Sequence, residues 1–443
     1  VLSVDRNLRY LFGMPKNAPT LAPPTTQAPS RRRVAWLIGP ALVAGVAYLD
    51  PGNVASNMTA GAAYGYLLVW VVVLGNVMAW LIQYLSAKLG IVTGRSLPET
   101  LGARIRNPWG RRAYWLQAEL VAMATDIAEV IGGAIALNLL FGIPLIWGGL
   151  ITGTVSLVLL VIQSRRGPRT FEFVVIGLVL IIAIGFTYGV FVAPPDPAAI
   201  ASGLVPRFDG AGSVLLAASI LGATVMPHAI YAHSALARDR FAPSGELVPD
   251  TSLADLRGIP TARLLQATRW DVSIAMVIAG TVNLCILLLA AANLAGVPGT
   301  ETLEGAYAAL RDGIGPAVAT LFAVGLLASG LASTSVGAYA GAEIMHGLLR
   351  VRIPLVVRRL VTLVPALAIL AVGTDPTLAL VLSQVVLSFG IPFALIPLVA
   401  VTAKSEVLGQ YRNRIITTVA GIAASVFLIT LNAVLLWLVL SGA

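Results

Sequence analysis

Asp50-Pro51-Gly52-Asn53 interrupts, at its middle, an apolar stretch that runs from Val34 to Leu49 and resumes to about Tyr64. Proline removes a backbone donor and disfavours helix in the residue before it. Glycine adds freedom to bend. A helix over this stretch is therefore expected to unwind near the centre of a bilayer. Open backbone at that depth is tolerated only inside protein or beside a wet cavity. An aspartate there costs about 2.5–3.5 kcal/mol on insertion scales, so Asp50 is a functional candidate from its position alone.

The rest of the chain is equally apolar. Of its 443 residues, 58% are hydrophobic and 11% are charged, against about 25% charged in soluble domains. The apolar residues come in long runs, which read as membrane spans and exclude a soluble protein. Eleven spans are expected, near 34–65, 67–90, 113–140, 145–163, 171–193, 211–237, 271–295, 314–346, 354–372, 376–402 and 413–441. The fold class is an all-α polytopic membrane protein.

The formal charge of +9 is distributed as a topology signal and not as a nucleic-acid surface. Basic residues cluster in alternate connections: Arg31 to Arg33, Arg95 to Arg112, Arg165 to Arg169, Arg238 to Arg269, Arg350 to Arg359, and Lys404 to Arg414. Only Arg207 and Arg311, of 29 lysines and arginines, fall in the opposite connections. The positive-inside rule makes the basic side cytoplasmic. The N-terminus is then inside and the C-terminus outside, and one missed helix would scramble the alternation. Residues 1–33 are expected to be a cytoplasmic tail without a signal peptide, disordered where proline, alanine and threonine dominate. The single cysteine, Cys285, lies within a span and excludes an intrachain disulfide.

The sixth span repeats the interruption. Gly222-Ala223-Thr224-Val225-Met226-Pro227-His228 breaks an apolar run from Val214 to Leu236. Spans one and six are five apart, an odd number, so two five-helix units would face opposite ways. Interrupted segments at matching positions of inverted halves are the best sequence pointer to a transporter's central site. The expected organisation is a first repeat over 34–210, a second over 211–402, and a cytoplasmic loop with helix 11 over 403–443. No residue-level identity between the halves supports the repeat; it rests on topology and the two breaks.

The two breaks offer one carboxylate (Asp50), one amide (Asn53), one thioether (Met226) and freed carbonyls such as that of Ala223. Oxygen ligands alone would suit magnesium or calcium. A thioether is soft and favours borderline transition ions, so the set reads as Mn²⁺, Fe²⁺ or a thiophilic neighbour such as Cd²⁺. A closed structural zinc site is excluded, because no Cys or His pairs stand at ligand spacing.

Asp50-Pro51-Gly52-Asn53 together with Met226-Pro227-His228 resembles the Nramp family. The strings GATVMPHAIYAHS (222–234) and SQVVLSFGIP (383–392) are similar to that family too, and the likeness extends from about Arg33 onward. The resemblance implies a LeuT-type fold with a 5+5 inverted repeat and broken helices 1 and 6. It implies proton-coupled import of divalent transition metals, with Asp50, Asn53, the Ala223 carbonyl and Met226 as ligands and Gln384 joining on occlusion. Met226 sets the chain apart from magnesium-selective relatives, which lack that sulfur.

The third span carries Glu119, Asp126 and Glu129 at spacings of seven and three. The helical period puts them on one face, within roughly 80°. Acids aligned on a buried helix are costly and commonly relay protons. His228 is a titratable neighbour of the expected metal site. Arg358 and Arg359, entering the ninth span, are candidate partners for the acids. In the family, the matching third-span residues are associated with proton transfer, together with Asp50.

Each candidate has a plainer reading. Asp50 could be a buried acid paired with arginine, Asn53 could cap the second half-helix, and Met226 could be ordinary packing. His228 could end a helix, the third-span acids could form buried ion pairs, and Gln384 could be an interhelical hydrogen-bonder. His233 is taken as a gating candidate, His346 as structural, and Asn76 and Gln83 as packing residues.

An organic-substrate symporter of the same fold is the main alternative function, but Asp50 would repel a substrate carboxylate. An uncoupled metal channel is another. An enzyme is not expected, since nucleophile pairs, phosphate loops and HExxH strings are absent. The expected partners are a divalent metal ion, protons and the lipid bilayer, with no cofactor, no nucleic acid and a functional monomer. The short tails point to a bacterial inner membrane.

Overall fold

The computed structural model describes residues 39–166, 168–241, 259–351 and 355–441, and no strand occurs among them. The expected tail, the basic triplet Arg31 to Arg33, and most of the 237–268 connection lie outside the described residues. The first expected span is divided. Helix α1 (Pro40–Gly45) tightens into a 3-10 turn (Val46–Leu49), breaks at Asp50, and restarts as α2 (Pro51–Tyr64). Next come α3 (Val69–Thr93), a short connecting helix α4 (Leu97–Arg104), α5 (Pro108–Phe141), α6 (Leu145–Arg166) and α7 (Pro168–Val192). After α8 (Pro197–Gly203), the sixth span is split into α9 (Gly210–Val225) and α10 (Pro227–Phe241). The remainder is α11 (Thr261–Asn293), α12 (Leu303–Gly313), α13 (Pro316–Leu349), α14 (Leu355–Val372), α15 (Pro376–Thr402), α16 (Ser405–Leu408) and α17 (Ile415–Ser441).

Among the described residues, helix occupies most of each interval expected to span. Eight segments are long and apolar enough to cross a membrane by length and composition: α3, α5, α7 from Val174, α9 with α10, α11, α13, α15 and α17. The other three expected spans are not among these eight. The first is cut at Asp50, leaving a shorter apolar piece over Pro40–Leu49. The fourth is helix α6, 22 residues long over Leu145–Arg166. The ninth, α14, is 18 residues long and carries Arg358 and Arg359. Helix α11 starts at Thr261, ten residues before the expected 271, because its first turns are polar yet still helical. The connecting helices α4, α8 and α12 were not anticipated. Ser96 starts α4 with a reciprocal capping box to Glu99, a cue the sequence does carry.

In the main core cluster α5 packs along α13, α2 on α11, α3 on α10, and α9 on α15. Helices α6 and α14 lean on the outside of α5. These contacts enclose the two breaks and must satisfy backbone groups that water cannot reach. The Tyr48 carbonyl accepts from Asn283 Nδ2 of α11 at 2.8 Å. The Leu49 carbonyl accepts from Ser329 Oγ of α13. At the other end of this segment, Asp271 Oδ2 of α11 accepts from the N–H groups of Gly39 (3.2 Å) and Ala41 (2.9 Å). The short helix α1 is thus held by a carboxylate more than 200 residues away in sequence.

Removing the Asn283 amide strands a buried carbonyl, at a cost of about 1–3 kcal/mol. Asn283→Ala should lower the thermal unfolding midpoint in detergent. Asn293→Ala should leave it nearly unchanged, since that side chain bonds only the Leu289 carbonyl of its own helix. Equal midpoints for the two variants would contradict this account.

Candidate functional site

The breaks face each other at the centre of the core. Asp50 has an extended backbone (φ −73°, ψ 165°) and caps α2, its Oδ1 accepting from the Asn53 N–H at 2.8 Å. The capping role considered for Asn53 therefore falls to Asp50, which frees the Asn53 side chain. Its Nδ2 donates to Asp50 Oδ1 at 2.8 Å and to the Ala223 carbonyl at 3.0 Å. One amide thus joins the carboxylate of the first break to a carbonyl of the second.

The Ala223 carbonyl is available because of Pro227. In a regular helix that oxygen would accept from the N–H four residues later, and proline has none. Helix α9 stays regular to Val225, and the second break is one residue wide, at Met226 (φ −9°, ψ 113°). Met226 is fully buried between α9 and α10. From the third side, Gln384 Nε2 of α15 donates to Asp50 Oδ2 at 3.4 Å. Both breaks close on this residue through glycines. A side-chain carbon at Gly52 would overlap the Gln384 amide, and one at Gly222 would overlap the Gln384 carbonyl. Asp50, Asn53, Ala223, Met226 and Gln384 are all sealed from solvent at 0% exposure, and Asn53 Oδ1 and Gln384 Oε1 have no hydrogen-bond donor. Among the described residues no basic group pairs with Asp50.

The third-span acids form a second, charged centre on α5. Arg359 of α14 donates from Nη1 to Asp126 Oδ1 at 3.1 Å and to Glu129 Oε2 at 3.3 Å, and from Nε to Ser156 Oγ of α6 at 3.0 Å. Its Nη2 reaches Thr334 Oγ1 of α13 at 3.4 Å. Arg358 pairs with Glu119 at 3.0 Å and stands 3.6 Å from Asp126. Glycine again makes the room: a side chain at Gly341 of α13 would collide with the Arg358 guanidinium. Arg358 and Arg359, near the start of α14, are thus buried ion-pair partners and not loop charges. His228 of α10 faces this centre through Thr125, its Nδ1 lying 3.2 Å from Thr125 Oγ1.

His233, one and a half turns further along α10, belongs to a different group. Its Nδ1 lies 2.6 Å from Gln83 Oε1 of α3, and Gln83 Nε2 donates to the Tyr48 hydroxyl beside the first break. Gln83, read from sequence as a packing residue, links three helices on the side of the site toward the basic connections. His346 lies apart, half exposed and 3.9 Å from Glu99. Glu99, Glu343 and His346 are close enough to suggest a cation site. Arg238 already supplies the cation, bonding Glu99 at 2.7 Å and Glu343 at 3.2 Å. Sequence reasoning missed this cluster, along with Ser156, Thr334 and Thr125, because nothing in their local spacing marks them.

Arg359→Gln should lower stability by about 3–5 kcal/mol, since it leaves Glu129 buried without a counter-charge and Asp126 with only the longer contact to Arg358. Adding Glu129→Gln should recover part of that loss, and the pair can be compared by thermal unfolding as a double-mutant cycle. Strict additivity of the two substitutions would show that the observed contact carries no coupling.

Comparison with known proteins follows the same pattern. The Nramp family profile (natural resistance-associated macrophage protein-like) matches residues 41–438. The divalent metal cation transporter MntH of Mycobacterium tuberculosis is 60% identical over 407 residues, covering 92% of each chain. A crystal structure of the Eremococcus coleocola manganese transporter superposes with a TM-score of 0.79 at 32% identity, over 93% of this chain and 88% of that one. MhsT in complex with L-phenylalanine, at 13% identity and a TM-score of 0.55 over 92% and 98% of the two chains, shares the fold alone. The chain belongs to the Nramp family, a family of membrane transporters and not of enzymes.

Proposed function

We propose that this protein imports divalent transition-metal ions, Mn²⁺, Fe²⁺ and also Cd²⁺ and similar ions, together with protons by alternating access. The observation that carries the reading is the convergence of Asp50, Asn53, the Ala223 carbonyl and Gln384 at two helix breaks, with Met226 at the second. In a LeuT-type arrangement the chain crosses the bilayer eleven times, with inverted halves over 34–210 and 211–402. Relatives named as divalent metal cation transporters and a solved manganese transporter support the substrate class. The distribution of arginine supports a cytoplasmic N-terminus, an external C-terminus and, in a bacterium, the inner membrane.

Asp50 is a buried carboxylate with no basic partner among the described residues, so a cation or a proton must balance its charge. The Asn53 amide occupies the line between Asp50 and Ala223 with its donors. Loading would turn that amide so that Oδ1 faces the ion, replacing two hydrogen bonds by ligation. Gln384 would turn likewise on closure. Met226 adds a soft ligand that calcium and magnesium do not favour. The proton displaced from Asp50 leaves along Asp126 and Glu129, with His228, Glu119, Arg358 and Arg359 shaping the route. Opening toward the basic side requires breaking the Tyr48–Gln83–His233 chain and moving α1 away from Asp271. The protein is proposed to work as a monomer.

Mn²⁺ uptake into proteoliposomes with internal pH recorded tests the reading. Wild type should show saturable uptake with acidification. Asp50→Ala should abolish uptake, and Met226→Ala should keep it while losing discrimination against Ca²⁺ or Mg²⁺. Asp126→Asn and Glu129→Gln should reduce proton flux more than metal binding. Unaltered uptake in Asp50→Ala would move the substrate elsewhere. Metal flux without acidification in wild type would favour an uncoupled channel.

A further inference from the structure

A cavity of about 450 Å³ opens where the end of α3, the start of α11 and the start of α17 meet. All three ends lie on the side of the molecule that carries the basic connections. Lys88, Arg269, Arg412 and Arg414 line it, and no carboxylate does. Among the described residues none of these four cations pairs with an acid. The walls hold the cations in place. Trp80 and Tyr84, one turn apart on α3, stack at 6.3 Å between centroids. Arg269 lies over the Trp80 ring at 5.8 Å and Lys88 over the Tyr84 ring at 5.9 Å. Lys88 Nζ, on a side chain 5% exposed, also donates to Asn413 Oδ1 in the turn before α17. Four positive charges gathered without counter-charge repel one another, so this arrangement is costly unless an anion is bound.

The surroundings select the kind of anion. Immediately beyond Arg414, Ile415 and Ile416 are 83% and 82% exposed, and beyond Arg269 so are Trp270 and Val277, at 61% and 64%. A basic recess thus opens directly onto exposed apolar surface at the end of three apolar helices. That is the chemistry of a headgroup at the boundary of a bilayer, with acyl chains running along the helices below it. We propose that this recess is a binding site for the phosphate headgroup of an anionic phospholipid in the leaflet facing the basic connections. Arg269 and Arg414 contact the phosphate, Lys88 contributes charge from deeper in the recess, and the acyl chains lie against Ile415, Ile416 and Val277. The site is separate from the two helix breaks and does not depend on which ion is carried.

Native mass spectrometry of the full chain, titrated with phosphatidylglycerol or phosphatidylcholine, tests this. Wild type should retain one phosphatidylglycerol at least tenfold more tightly than phosphatidylcholine. Each arginine removed should weaken that adduct about fivefold, so Arg414→Ala and Arg269→Ala/Arg414→Ala should form a graded series. The double variant Arg269→Lys/Arg414→Lys, which keeps the charge, should retain most of the binding. Arg263→Ala, an exposed arginine on α11 that does not line the recess, serves as the control and should bind as wild type. Should the double alanine variant fail to fold, Arg414→Ala on its exposed turn gives the answer by itself. Undiminished adduct in Arg414→Ala, or equal loss in Arg263→Ala, would overturn the proposal. Displacement of the lipid by millimolar inorganic phosphate, with no preference for the lipid form, would make the recess a site for soluble phosphates and overturn the lipid assignment.

Discussion

Two helices that stop inside an apolar interior leave carbonyl and amide groups that water cannot reach, and the centre of this molecule is organised by the need to satisfy them. Each group finds a partner far away in sequence: Asn283 for Tyr48, Ser329 for Leu49, Asp271 for the first residues of α1. Where satisfaction is incomplete, the remaining oxygens gather at one point. Pro227 withholds an N–H from Ala223, and that carbonyl turns to the Asn53 amide. The site is therefore not added to the fold; it is made of what the broken helices leave over.

The second constraint is charge. Carboxylates on α5 would be prohibitive in a bare apolar helix, and α14 answers them with two arginines reaching in from the outer side. Space for the Arg358 guanidinium comes from α13, where Gly341 carries no side chain to block it. The same helix α5 carries Thr125 to His228, so the charged centre and the second break share a wall. Close packing at Gln384 joins both breaks to α15. Movement of either broken helix is consequently felt at the other, because the two glycines press on one residue.

Much of this was legible in the sequence, for local reasons. Proline and glycine beside Asp50 and Met226 announce interrupted helices, and the alignment of Glu119, Asp126 and Glu129 follows from helical period alone. The pairing of Arg358 and Arg359 with those acids was expected from charge, although their depth was not. What stayed hidden depends on contacts between residues distant in the chain. Gln83 looks like any polar residue in an apolar helix until Tyr48 and His233 are seen on either side of it. Asp271 lies in what reads as the polar edge of a span, and only the tertiary arrangement shows it holding α1. Span edges shifted most at α11, where polar residues continue the helix beyond the apolar run.

The inventory of ionisable groups has one further consequence. Around Arg358 and Arg359 stand three carboxylates, Glu119, Asp126 and Glu129, against two guanidiniums, and Asp50 at the breaks adds a fourth carboxylate with no basic partner among the described residues. With these six groups ionised and the imidazole of His228 neutral, the two centres together carry a formal surplus of two negative charges. One divalent cation cancels that surplus, and so do two protons; a monovalent ion cancels only half. In the proposed transport cycle, charge balance would therefore favour a divalent ion over a monovalent one before any ligand discriminates by softness, and would let metal and protons substitute for one another.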